Sequence, residues 1–263
     1  MADYEGTDFR GKHFDWVEFG GARLTSCSLS DTYIDNTDLH RVTMKGVELY
    51  DVTIEGDVER VFVNGVDIAP LVEAELDRRE PLRAKMRPDD PDGYREAWEV
   101  LDGLWQGTVQ RARALPPEAL HESVDGEWSF VETLRHLAFA SDSWVGRAIL
   151  GDPSPWHPLD LPWDQMPDTP GVPRDREARP TLDEALEVRE RSRQLVARYL
   201  ADLTPEQLAA DTTPVEGPGW PEARSYPVAQ CLRIVLNEEW CHRLYAERDL
   251  AVLEQRQTAG GSG

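Results

Sequence analysis

Along the C-terminal two thirds of the chain, apolar positions recur at spacings of three and four, the mark of helices with one buried face. Four such stretches stand out. The first runs from about 91 to 115, with Asp90 as a cap, Pro91 in the first turn and apolar Tyr94, Trp98, Leu101, Leu104, Trp105 and Val109. The second opens on Ser129-Phe-Val-Glu132 and runs to about 150. The third opens on Thr181-Leu-Asp-Glu184 and runs to about 203. Both openings have capping-box form, in which a hydroxyl and a carboxylate three residues on satisfy each other's free amides. The fourth runs from Tyr226 to Leu250, with Ser225 as a cap and Pro227 near its first turn. Four amphipathic helices of about 20 residues predict a four-helix bundle, a fold that builds sites between facing helices.

The fourth stretch breaks its own pattern. Val228, Cys231, Val235, Glu238, His242, Tyr245 and Asp249 share one face. That face starts apolar and turns into Glu-x-x-x-His. Side chains four apart point the same way, so Glu238 and His242 can hold one object together. A carboxylate and an imidazole facing a core are costly unless paired or bound to a cation.

The N-terminal part follows a different rhythm. Every fifth residue is bulky and apolar: Phe9, Phe14, Phe19, Leu24, Leu29, Ile34, Leu39, Met44, Leu49 and Ile54. Two residues before each stands a mostly small or β-branched residue, with Lys12 the poor fit. Neither helix nor strand has a period of five. The pattern resembles the pentapeptide-repeat family, which implies a short right-handed quadrilateral β-helix over residues 1–68, closed by a cap at the Asn64-Gly65 turn. A short helix and a charged linker are expected over 69–90, the bundle over 91–252 and a disordered tail over 253–263. The expected fold class is therefore α+β and multidomain.

A metal site at Glu238 and His242 needs a third ligand. Of six histidines, only His136 also falls inside a predicted bundle helix, and small Ala140 and Ser143 follow on its face. It stands in Trp128-Ser-Phe-Val-Glu132-Thr-Leu134-Arg-His136-Leu137. Here the bundle resembles the DinB-like family (the YfiT and thiol-S-transferase superfamily), whose pattern joins such a motif to His-x-x-x-His in the last helix. The match holds at Trp128, Ser129, Glu132, Leu134, His136, Leu137 and His242, and departs at Glu238. The resemblance implies an up-down four-helix bundle and a divalent metal (Zn, Ni, Mn or Fe(II)) on His136, Glu238 and His242. It also implies transfer or isomerisation of a small-molecule substrate, using a low-molecular-weight thiol such as mycothiol. Two imidazoles and a carboxylate leave open positions on such an ion. The plain alternative is that Glu238 pairs with Arg135 or Arg233 and His242 is a satisfied core residue.

Several further residues are candidates. Tyr245, one turn past His242, is placed to orient a ligand or donate a proton. Arg189 and Arg193, four apart, suit a clamp on a substrate carboxylate. Trp156, Trp163 and Trp220 are candidates for the wall of the pocket, the first two in a stretch over 151–180 whose eight prolines and aromatics predict an ordered lid. Cys241 is either a further ligand or a buried filler.

Composition narrows the function. The 263 residues are 40% hydrophobic and 30% charged, with a net charge of −22. Such a field repels nucleic acid and membrane surfaces. Three cysteines and no apolar run long enough to span a bilayer fit a cytoplasmic protein without disulfides. A duplex-mimicking acidic protein is the weaker alternative: residues 1–70 hold 14 acidic and 6 basic side chains, the rest 36 and 22, so the charge is not concentrated on the repeats. A non-catalytic scaffold with a degenerate metal site is the other, and pairing through bundle helices makes a homodimer plausible.

Overall fold

A computed structural model describes residues 4, 6–34, 37–56 and 58–260. It divides into two compact units, Met1–Asp57 and Val58–Gly263.

The first unit corrects the expected β-helix. The five-residue rhythm is present in the backbone, because φ turns positive at Gly6, Gly11, Trp16, Gly21, Ser26, Asp31, Arg41, Gly46, Asp51 and Gly56. The rings of Phe9, Phe14 and Phe19 follow one another at 5.4 and 5.9 Å. Yet among the described residues of this unit there is no strand and no buried side chain. The apolar row stays exposed, from 43% at Phe9 to 67% at Ile54, and Cys27 is exposed as well. The pentads specify a local turn, but a solenoid is held by coil stacking on coil, and stacking units need about three repeats before a continuous core forms. Two and a half coils fall short. Among the described residues the sheet is a single hairpin elsewhere, so the fold is mainly helical, and the duplex-mimic reading loses its scaffold.

The second unit begins with that hairpin. β1 (Phe62–Val63) pairs antiparallel with β2 (Val66–Asp67). Asn64 and Gly65 both take positive φ at the turn, as a tight two-residue hairpin demands. α1 (Ala69–Arg79) follows. Residues Pro81–Met86, in the stretch read as a linker, form a 3-10 helix whose Met86 is buried in the bundle core.

The bundle helices are α2 (Pro91–Arg113), α3 (Phe130–Ser141), α4 (Leu182–Ala201) and α6 (Val228–Gly260), with the short α5 (Pro205–Leu208) before the last. α3 packs on α4 and α6, and α2 packs on α6 and α4. Both capping boxes form, at Ser129/Glu132 and Thr181/Glu184. Replacing Ser129 with alanine should lower stability by about 1 kcal/mol, read as a shift in the denaturant midpoint at unchanged slope. α3 does not run on to 150 as an α-helix; from Asp142 to Ile149 it winds as a π-helix, a form that often marks functional segments. α6 extends past the expected end to Gly260. Among the described residues two large core clusters result, beside a small one of Ala148, Tyr226 and Cys231. One is built around Tyr94, Leu101, Leu232 and Leu236, the other around Leu134, Leu137 and Leu250. Among the described residues no helix is long and apolar enough to cross a membrane.

The crossing from 150 to 181 has no regular structure but is not loose. Asp160, Leu161 and Met166 are buried. Arg135, fully buried in α3, donates to the carbonyls of Leu159, Ala178 and Asp175 and so ties both ends of the crossing to the bundle. Arg147 joins this crossing to the stretch between α5 and α6, donating to the Pro153 carbonyl of the first and to the Val215, Gly217 and Pro221 carbonyls of the second. A Cβ on Gly219 would stand 2.6 Å from that guanidinium, which is why a glycine sits there.

Candidate metal centre

α3 and α6 bring three ligand-bearing side chains to one point. His136 lies on the buried side of α3 and is 6% exposed. Glu238 and His242 lie one turn apart on α6. Glu238 Oε2 stands 3.3 Å from His136 Nε2 and 3.1 Å from His242 Nε2. One ligand atom from each of the three lies within 4.8 Å of the others. Burial opposes ionisation of Glu238, but the hydrogen bonds to His136 and His242 outweigh it and hold the carboxyl well below its ordinary range. Glu238 therefore joins these imidazoles and not Arg135 or Arg233.

The other nitrogen of His136 decides what the site wants. Its Nδ1 is 3.0 Å from the carbonyl oxygen of Leu161, which can only accept, so Nδ1 carries the proton. In the neutral ring, Nε2 then turns a lone pair toward a carboxylate oxygen that also only accepts. The contact needs a positive charge, either a second proton on the ring or a cation bound by both. A carbonyl holding the far nitrogen of a metal-ligating histidine is the usual second layer of such sites. The donor set of two imidazoles and one ionised carboxylate fits a divalent ion.

Aromatic rings enclose the triad. Trp128 lies against both imidazoles, with ring centres 4.4 Å from His136 and, nearly parallel, 5.7 Å from His242. Its indole N–H is held by Asp164 Oδ1 at 3.2 Å. Trp128 was legible as part of the helix motif, but nothing in the sequence marked it as a wall of the site. From His136 the rings continue through Phe139, at 6.3 Å, to Trp156 and Trp163, and from Trp163 to Trp220 at 4.8 Å. The three predicted tryptophans thus belong to one aromatic array reaching the triad. Tyr245 sets its ring edge-on to His242 at 5.7 Å and is 47% exposed.

The two arginines are taken up elsewhere. Arg189 is buried and bonds Glu239 Oε2 at 2.5 Å, with its guanidinium 4.4 Å from the centre of the Trp105 ring. Arg193 pairs with Asp102 and with Glu190. Glu239 is the acid that sequence reasoning missed. It neighbours Glu238, but a step of about 100° around the helix turns it from the triad into the core. Cys241 is partly buried, with its thiol 3.6 Å from Asn237 Oδ1.

Comparison with known proteins agrees with this architecture. No curated protein and no solved structure matches the chain significantly. A family model described as the DinB superfamily matches residues 100–246, more than half of the sequence and a span containing all three triad residues. The chain belongs to the DinB superfamily.

Proposed function

We propose that this protein holds a divalent metal ion on His136, Glu238 and His242 and acts as a thiol-linked transferase or isomerase on a small molecule. The observation that carries the metal reading is the facing pair of acceptors, His136 Nε2 and Glu238 Oε2, 3.3 Å apart with the other ring nitrogen already committed to Leu161. The thiol half rests on the likeness to thiol-S-transferase bundles and on the chemistry of the donor set.

The residues divide the work. Leu161 fixes the tautomer of His136 so that Nε2 is the free donor atom. Glu238 supplies negative charge at neutral pH, which favours a cation. Trp128 packs on both imidazoles, limits their rotation and keeps water off one side. Glu238 and His242 remain 31% and 19% exposed, so a small molecule can reach them. Trp156, Trp163 and Trp220, each partly exposed, offer apolar surface to the body of a substrate, and Tyr245 offers a phenol beside His242. A divalent ion held by these residues would supply the means of lowering a thiol's pKa, so that a thiolate nucleophile would be available at neutral pH.

Cobalt substitution tests the thiol half separately from the metal half. Thiol added to the Co(II)-loaded protein should bring up a sulfur-to-cobalt charge-transfer band that is lost in His242→Ala. Cobalt bound with no such band, across several low-molecular-weight thiols, would remove the thiol chemistry and leave a metal-binding scaffold.

A further inference from the structure

Two carboxylic acids away from the triad have no exposure at all. Asp142 opens the π-helix and Asp160 sits in the 150–181 crossing, each 0% exposed. One guanidinium serves both: Arg191 of α4 bonds Asp142 Oδ2 and stands 3.9 Å from Asp160 Oδ2. Arg191 is itself 45% exposed, which weakens its hold. The His157 amide donates to Asp160 Oδ2 at 3.0 Å. Oδ1 of each acid meets no N–H or hydroxyl donor. Two buried carboxylates this close cannot both be ionised at low cost, and a proton shared between them resolves the conflict.

Asp160 is tied to the triad through its neighbours in sequence. The Leu159 carbonyl accepts from Arg135 Nε at 2.7 Å. The Leu161 amide donates to the Arg135 carbonyl at 3.2 Å. The Leu161 carbonyl is the one that accepts from His136 Nδ1. The strap 159–161 therefore has three anchors: Arg135, His136 and the acid pair.

We infer that Asp142 and Asp160 form a one-proton latch that holds the strap on α3, keeps His136 oriented, and so regulates ligand binding at the triad. Only this last step rests on the metal reading above. The charged and titratable groups facing the pair are Arg191 from α4 and His157 from the crossing; Glu187 of α4 faces His157, and Arg135 faces the strap. Burial pushes both acids up. Arg191 draws Asp142 partly back, while the charge of Asp142 pushes Asp160 further, well above its ordinary range. With the strap released, each acid returns to the ordinary value of 3.8. The sign follows: the latch is complete below that value and is lost as pH rises through the raised one.

The test uses the full chain and zinc alone, with affinity measured by competition with a chromophoric chelator across pH. In wild type, affinity should fall about tenfold or more as rising pH takes the proton from the acid pair. Asp160→Asn, which keeps a neutral hydrogen-bonding group, should lack that fall. Asp142→Asn should do the same and serves if the first variant does not fold. A fall that persists in whichever variant folds overturns the latch, as does a fall abolished by His157→Asn instead. The strap is read independently in metal-free protein, by hydrogen exchange at the Leu161 amide corrected for the intrinsic rate. Protection should weaken with rising pH in wild type and not in the Asn variants. That result without zinc binding supports the latch and removes the metal reading; protection flat with pH in wild type removes the latch.

Discussion

Replacing His136 with alanine is expected to abolish stoichiometric metal binding. The protein should take up close to one divalent ion per chain when loaded with zinc, nickel, manganese or iron(II), and the variant should bind at least about a hundredfold more weakly. That is the upper end of what disturbing an outer-layer partner costs, and a direct ligand should exceed it. Glu238→Gln should do likewise, because the amide keeps the shape but loses the charge that draws a cation to the two imidazoles. Mass spectrometry of native protein reads both. The outcome that sinks the reading is wild type without metal after loading with all four ions. His136 would then be pinned between Leu161 and Glu238 as part of a buried polar cluster of the fold. Retained metal in His136→Ala would place the ion elsewhere.

Removing one partner of the Arg189–Glu239 pair is expected to give the largest loss of stability. Both side chains are almost fully buried, at 4% and 2% exposed. Burial pulls the guanidinium's affinity for its proton down and pushes the carboxyl up, while each partner's charge opposes the effect on the other. Arg189→Met leaves an unpaired carboxylate in the core at a cost of about 3–5 kcal/mol. For a chain of this size the melting temperature should fall by on the order of 10 °C. The double variant Arg189→Met with Glu239→Leu should recover most of that loss, since well-packed apolar residues often replace a buried pair without penalty. Equal melting temperatures for single and double variants would show that packing on Trp105, not the ion pair, is what Arg189 supplies.

The parts of the molecule that were legible in the sequence are those written in a helical period. The 3.6-residue spacing located four bundle helices, the capping boxes marked two of their starts, and the i, i+4 pair on α6 pointed to the triad. What the period could not show was pairing across the bundle. Glu239 reads as one more acid on a charged helix until α4 presents Arg189 opposite it. The carbonyl of Leu161 carries no sequence signal, because any residue there supplies the same oxygen. Asp142 and Asp160 are 18 positions apart, one in a helix and the other in a crossing with no period at all. The pentads failed for a different reason. Their register is unbroken over ten repeats, and the backbone obeys it, but a repeated turn is a local property and a β-helix is not. The sequence pattern specified the first and not the number of coils needed for the second.

The triad is assembled from two helices that meet only when the bundle is closed. His136 comes from α3, Glu238 and His242 from α6, and the unfolded chain retains no more than the α6 pair. An ion held by all three therefore binds the folded chain in preference to the unfolded one. At a free concentration a hundred times the dissociation constant, this shifts the folding equilibrium by about 2.7 kcal/mol. The unfolded fraction open to proteases then falls about a hundredfold. Metal supply would in this way set how long the chain survives as well as whether it is chemically competent, so that copies lacking an ion are the first to be cleared.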